Sequence, residues 1–135
     1  MAETVAAVFG ALYLLVGVLG FLLNPGGGLL LGIFAVNWFH HTFHLVVGGL
    51  GLLAGWRGWG RRYCQVVGVV FMLLAILGFA APGLAAFLLA QTNAPLLTDN
   101  LLHLMSGIGF LYFGWLPGTA PARAKAASPN TPARS

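Results

Sequence analysis

Hydrophobic residues run almost unbroken through positions 4–23, 38–55, 63–81 and 98–116. An α-helix rises 1.5 Å per residue, so it needs about 20 such residues to cross a hydrocarbon core roughly 30 Å thick. The pattern therefore predicts four membrane-spanning helices. Between the first two, Asn24-Pro25-Gly26-Gly27-Gly28 breaks the helix. Residues 29–36 are apolar but too few to cross, and are expected in the interface or as a partly re-entrant segment. Asn37 is placed as the N-cap of the second span. Trp56-Arg57-Gly58-Trp59-Gly60-Arg61-Arg62 makes a short basic turn, and Pro82-Gly83 stops the third span. Residues 84–94 form a second short apolar segment, after which Thr98 is placed as the cap of the fourth span. The end of the chain, 117–135, is rich in Pro, Ala and Arg without an apolar period, and is expected to be a flexible tail.

The pattern repeats. Residues 10–21 overlay 68–79 at a shift of 58, with Gly10 on Gly68 and Gly20 on Gly78. A second overlay at a shift of 59 puts His40 on Asp99, His44 on His103 and Gly48 on Gly107. Repeat one covers about 4–55 and repeat two about 63–116, each reading span, short segment, span. An even number of spans per repeat keeps both in the same orientation, related by a pseudo-twofold axis along the membrane normal. The expected fold is all-α and polytopic: two parallel-oriented helix-pair repeats in one transmembrane domain, 1–116.

Composition reinforces this. Of the 135 residues, 59% are hydrophobic and 6% charged, with a mean hydropathy of +0.93, whereas a soluble domain carries about 25% charged residues. From Thr4 to Leu116 the charged residues are Arg57, Arg61, Arg62 and Asp99 alone. The net charge of +4 comes from six basic residues in two clusters, which read as topology signals rather than as a nucleic-acid-binding stripe. One cluster follows the second span, and Arg123, Lys125 and Arg134 follow the fourth. The positive-inside rule puts both clusters and both termini in the cytoplasm, in a multi-pass protein of the bacterial inner membrane. The first span is expected to be retained: it lacks a basic n-region, carries Glu3, and is longer than a signal-peptide core. Trp38, Trp56, Trp59 and Trp115 suit anchors at the bilayer surface. The single Cys64 excludes an internal disulfide and suits an inert buried thiol.

Residues four apart share a helix face. On the second span that face holds His40, His44, Gly48, Gly51 and Gly55; on the fourth it holds Asp99, His103, Gly107 and Gly114. Small-residue stripes in membrane helices mark close helix contacts, and polar groups there seek partners. Spans two and four are accordingly expected to face each other, gathering His40, His44, Asp99 and His103 near the outer surface. His41 and Asn100 point about 100° away, toward a neighbouring helix or the short segments.

Asn-x-x-His-x-x-x-His-x-x-x-Gly at Asn37, His40, His44 and Gly48, with Asp-x-x-x-His-x-x-x-Gly at Asp99, His103 and Gly107, resembles a family of small four-helix bacterial membrane proteins known only as a domain of unknown function. The resemblance covers about residues 4–116. The family's pattern often carries Asn where this chain has His41, and the family brings no activity with it.

The chemistry of the site has several readings. It can be helix-to-helix glue, with Asp99 suited to a helix start and neutral histidines bonding across helices. His40, His44, Asp99 and His103 offer three nitrogens and one oxygen, a set that suits zinc or copper, or iron with an open position. His44 and His103, at equal depth, could ligate haem or hold chlorins in an accessory subunit of a larger membrane complex. Asp99 and the histidines could also form a proton or ion relay, for which so small a bundle would need a homo-oligomer. The sequence carries no hydrolytic triad, phosphate-binding glycine loop or dinucleotide motif, so it does not point to an enzyme.

Overall fold

The computed structural model describes residues 1–89 and 97–116. The tail at 117–135, with Arg123, Lys125 and Arg134, and residues 90–94 of the second short segment lie outside the described residues. The elements in order are α1 (Ala2–Leu23), β1 (Gly28–Leu30), β2 (Phe34–Val36), α2 (Trp38–Arg57), α3 (Gly60–Ala80), α4 (Pro82–Leu88) and α5 (Leu97–Trp115). The four long helices follow the four apolar stretches to within a few residues at each end. At 1.5 Å per residue they are roughly 28 to 33 Å long. Two of them, Ala2–Leu23 and Gly60–Ala80, are long and apolar enough by length and composition to cross a membrane.

The all-α expectation holds for the architecture, and the departure from it is confined to one connector. The first connector folds as a small antiparallel hairpin, β1 against β2, pairing Gly28 with Val36 and Leu30 with Phe34. The reason is local: Gly27, Gly28, Leu31 and Gly32 all take positive φ, which helix excludes. Leu31 and Gly32 form the tight turn, closed by the Ile33 amide donating to the Leu30 carbonyl at 3.2 Å. The second connector lacks such glycines and is rich in Ala and Leu, so its described part continues as the short helix α4, started by Pro82 at the first helical position.

The glycine stripes also require a correction. They do not bring α2 onto α5. Instead α2 packs mainly along α1, and α5 mainly along α3, while α3 also reaches α1 and α2. A Cβ added at Gly48 would come within 2.7 Å of the Gly10 carbonyl oxygen, and one at Gly51 within 2.8 Å of the Ala6 carbonyl oxygen, both on α1. Gly107 lies against Met72, and Gly114 against Gln65, both on α3. A glycine stripe lets two backbones approach closely, and the nearest antiparallel partner is the first helix of the same repeat. The joining core consists of Ala6, Val47, Tyr63, Val67, Phe71 and Phe110 with small residues around them. There the Tyr63 hydroxyl donates to the Val47 carbonyl at 3.0 Å, binding α3 to α2.

Substituting Gly48→Leu forces the α1 backbone away and should cost about 1–3 kcal/mol, the usual range for overpacking. Gly49→Ala, whose Cβ meets nothing within 4 Å, should not lower stability and should raise it by up to about 1 kcal/mol, since Ala is the better helix former. Thermal unfolding of the purified variants, followed by circular dichroism, separates the two.

Candidate functional site

Asp99 and His103 stand at the same positions in α5 as His40 and His44 in α2, the third and seventh residues of each helix. Below the hairpin these side chains come together. The His40 and His44 rings are 4.6 Å apart edge to face, and the His40 and His103 rings 6.3 Å apart, nearly parallel. His103 also stacks on Phe71 at 5.5 Å, so its ring is held between Phe71 and His40. Tyr13 of α1 lies 5.2 Å from His44 and 5.5 Å from Phe71, closing the aromatic ring around the cluster.

The polar residues at the helix starts divide into two groups. The first ties the connectors down. The Asn37 side chain caps α2 by accepting from the His40 amide at 2.8 Å, and its Nδ2 donates to the Leu89 carbonyl at 2.9 Å. Asp99 is 3% exposed and accepts from the Ala35 amide of β2 at 3.2 Å. The Thr98 hydroxyl donates to the Ile33 carbonyl at 2.6 Å. Thr98 is therefore not a helix cap: α5 already begins at Leu97, which places Thr98 in the first turn and turns its hydroxyl to the hairpin. Each repeat's connector is thus held by a helix start of the other repeat.

His41 belongs with this framework. It is 1% exposed and its Nε2 lies 3.0 Å from the Asn24 carbonyl, to which it donates as the protonated nitrogen. Its ring covers Gly20 of α1, where a Cβ would overlap the imidazole; Asn100 covers Gly78 of α3 in the same way. These are the paired positions of the two sequence overlays.

The second group is His40, His44 and His103. Together with Asp99 they line a cavity of about 270 Å³ in the seam between α1 and α5, beneath the hairpin. Its other walls are largely apolar, among them Leu12, Val16, Phe34, Phe71 and Leu102. His44 is 7% exposed, and its Nδ1 is buried without a hydrogen-bond partner. His40 and His103 also face a cavity of about 180 Å³ on the opposite side, between α2 and α3.

The candidate groups fit a cofactor unevenly. Among the described residues, no group of three or more His, Cys, Asp or Glu side chains is arranged to hold a metal ion. Asp99, the one anionic member, is directed to a backbone amide. A flat macrocycle held between His44 and His103 would have to displace rings, since these imidazoles are bridged by His40 on one side and by Tyr13 and Phe71 on the other.

Tyr13 and Ser106, which line the cavity, were not among the sequence candidates. Both left a signal. Tyr13 is the one hydroxyl-bearing residue of the first helix beyond Thr4 at its start, and Ser106 lies one turn beyond His103 on the same face.

Fold and site together define a small helical protein with two helices apolar enough to cross a membrane and a histidine-lined cavity between its helices. The chain belongs to the family described as a domain of unknown function (DUF4383), whose model matches residues 3–116. No curated protein and no solved structure matches the chain.

Removing Asp99 leaves the Ala35 amide without that acceptor, and an unsatisfied buried donor costs about 1–3 kcal/mol. In Asp99→Ala, hydrogen–deuterium exchange should therefore speed up at the hairpin amides while the α1 and α3 core stays protected. Asn37→Ala should lower stability by about 1 kcal/mol through loss of the cap.

Proposed function

We propose that this chain is a four-span membrane protein that holds a small lipid-soluble molecule in the cavity lined by His40, His44 and His103. Asp99, Asn37 and Thr98 act as framework. Four spans are supported by the lengths of the long helices and by their outward residues, such as Leu15 on α1, Leu50 on α2, Leu73 on α3 and Met105 on α5, all exposed large hydrophobics. The polar residues that lower the hydropathy of α2 and α5 are turned inward: His41, His44, Asp99 and Asn100 are buried. Trp56, Trp59 and Trp115 gather at one end of the bundle beside Arg57, Arg61 and Arg62, and Trp38 lies at the other. This arrangement favours two parallel-oriented repeats with both termini cytoplasmic and the hairpin outside.

The observation that carries the binding reading is His44. A neutral imidazole has one donor and one acceptor nitrogen. Leaving one buried and unpaired costs about 1–3 kcal/mol. His41 Nδ1 and Asn100 Oδ1 are buried in the same way, but of these three residues it is His44 whose ring stands, with those of His40 and His103, at the wall of the largely apolar cavity. A ligand with a hydrogen-bonding group and an apolar body satisfies both features.

The protein purified from native membranes in mild detergent should yield, on organic extraction and mass spectrometry, a small molecule in near-stoichiometric amount that is lost from His44→Leu. Stoichiometric zinc, copper or iron lost from His40→Ala and His103→Ala would select the metal reading in its place. A Soret band lost from His44→Ala and His103→Ala would select haem. An empty wild type would return the histidines to helix-to-helix contacts.

The topology has its own test. In a Cys64→Ala background, Leu31→Cys should react with a membrane-impermeant maleimide on intact cells, and Arg62→Cys only after permeabilisation. The reverse pattern, or equal labelling, rejects the four-span orientation.

A further inference from the structure

The histidine cavity has a neighbour in the same seam. Directly below it in the α1–α5 seam lies a second cavity of about 210 Å³, walled by Val5, Met105, Gly109, Phe110 and Phe113. The two adjoin, since Phe9 and Ser106 line both. From His103 to Phe113 the groove follows α5 for ten residues, about 15 Å at 1.5 Å per residue, which is one leaflet's depth of hydrocarbon. Its polar groups are confined to the upper end: the imidazoles, Asp99, Tyr13 and Ser106. Below Ser106, which lines both cavities, the walls are apolar.

We infer that the occupant is a single-chain amphiphile with an uncharged hydrogen-bonding head, such as a long-chain alcohol, its head against His44 and its tail along α1 and α5. This rests on the cavity reading above and adds the shape and charge of the ligand. The seam is left open because α1 packs mainly on α2, and α5 on α3, with only slight contact between α1 and α5. The two cavities lie end to end along it, which suits a single chain. The head is uncharged for two reasons. His44 lies about 10 Å along α2 from its start, a depth at which a charge costs about 2.5–3.5 kcal/mol on insertion scales. Asp99 on the same wall opposes an anion. A hydroxyl both donates and accepts, and so pairs with an imidazole nitrogen in either tautomer. Gly109 leaves the lower groove open: a Cβ there would meet nothing within 4 Å.

The test uses the full chain in phosphatidylcholine nanodiscs with two photoreactive probes, a dodecanol carrying a diazirine at its tail end and a butanol diazirine. The dodecanol probe should label Val5, Phe9 or Phe113. Gly109→Trp, which fills the lower groove, should cut that labelling by roughly tenfold while leaving butanol capture unchanged. His44→Leu should cut both by a similar factor, a tenfold change being about 1.4 kcal/mol and within the range of one lost hydrogen bond. Gly109→Leu serves as a smaller plug should the Trp variant lose its helical circular dichroism. Dodecanol labelling that is lost in His44→Leu but indifferent to both Gly109 variants overturns the groove assignment and leaves the cavity reading standing. Labelling spread evenly over lipid-facing residues also overturns the groove assignment. Capture of both probes unaffected by His44→Leu overturns the cavity reading and the groove with it.

Discussion

Helix ends leave backbone donors and acceptors without partners inside the helix, and where water is scarce these must be met by other parts of the protein. The rest of this structure depends on how that requirement is met at one end of the bundle. Asn37 caps its own helix and reaches across to the carbonyl of Leu89, while Asp99 takes the amide of Ala35 and Thr98 the carbonyl of Ile33. At the opposite end the Gly114 carbonyl, left over at the close of α5, accepts from Arg61 at 3.1 Å and from Gln65 at 2.9 Å. The polar residues of an otherwise greasy chain are therefore placed largely where the backbone runs out of its own partners.

Against that economy, His44 Nδ1 is buried without a hydrogen-bond partner, as are His41 Nδ1 and Asn100 Oδ1, and of these three residues His44 lines the cavity. The rings of His40 and Tyr13 lie beside it. Asp99, by contrast, began as a candidate ligand and stands as a structural acceptor, because a carboxylate in the first turn of α5 faces the Ala35 amide of a hairpin strand. The same four-residue spacing thus yields two outcomes: one helix offers an imidazole at its third position, and the other a brace.

The helices were legible because long apolar runs bounded by Pro, Gly and Asn leave few alternatives. The convergence of His40 and His103 was legible only through the repeat, which sets them in equivalent halves of the chain. Other features were not. Residues 29–36 have no periodicity that separates a strand from a helix, and the outcome turned on positive φ at Leu31 and Gly32. The glycine stripes announced a close backbone approach without saying which backbone, and the choice fell to α1 and α3 because antiparallel neighbours in one repeat meet along their whole length. Thr98 read as a cap because it precedes Asp99, yet the helix starts one residue earlier. Tyr13 was hidden by its setting, since in an apolar run a tyrosine reads as one more aromatic.

The reciprocal ties between connectors and helix starts bear on how the chain could be divided. Residues 1–57 keep the hairpin but lose Asp99 and Thr98 that hold it, and residues 60–116 keep Leu89 but lose Asn37. Neither piece can satisfy its own connector, yet each carries the groups the other lacks. A chain severed at Gly58, between α2 and α3, is therefore built for fragment complementation: two halves, co-expressed, would recover in each other the partners that neither holds alone.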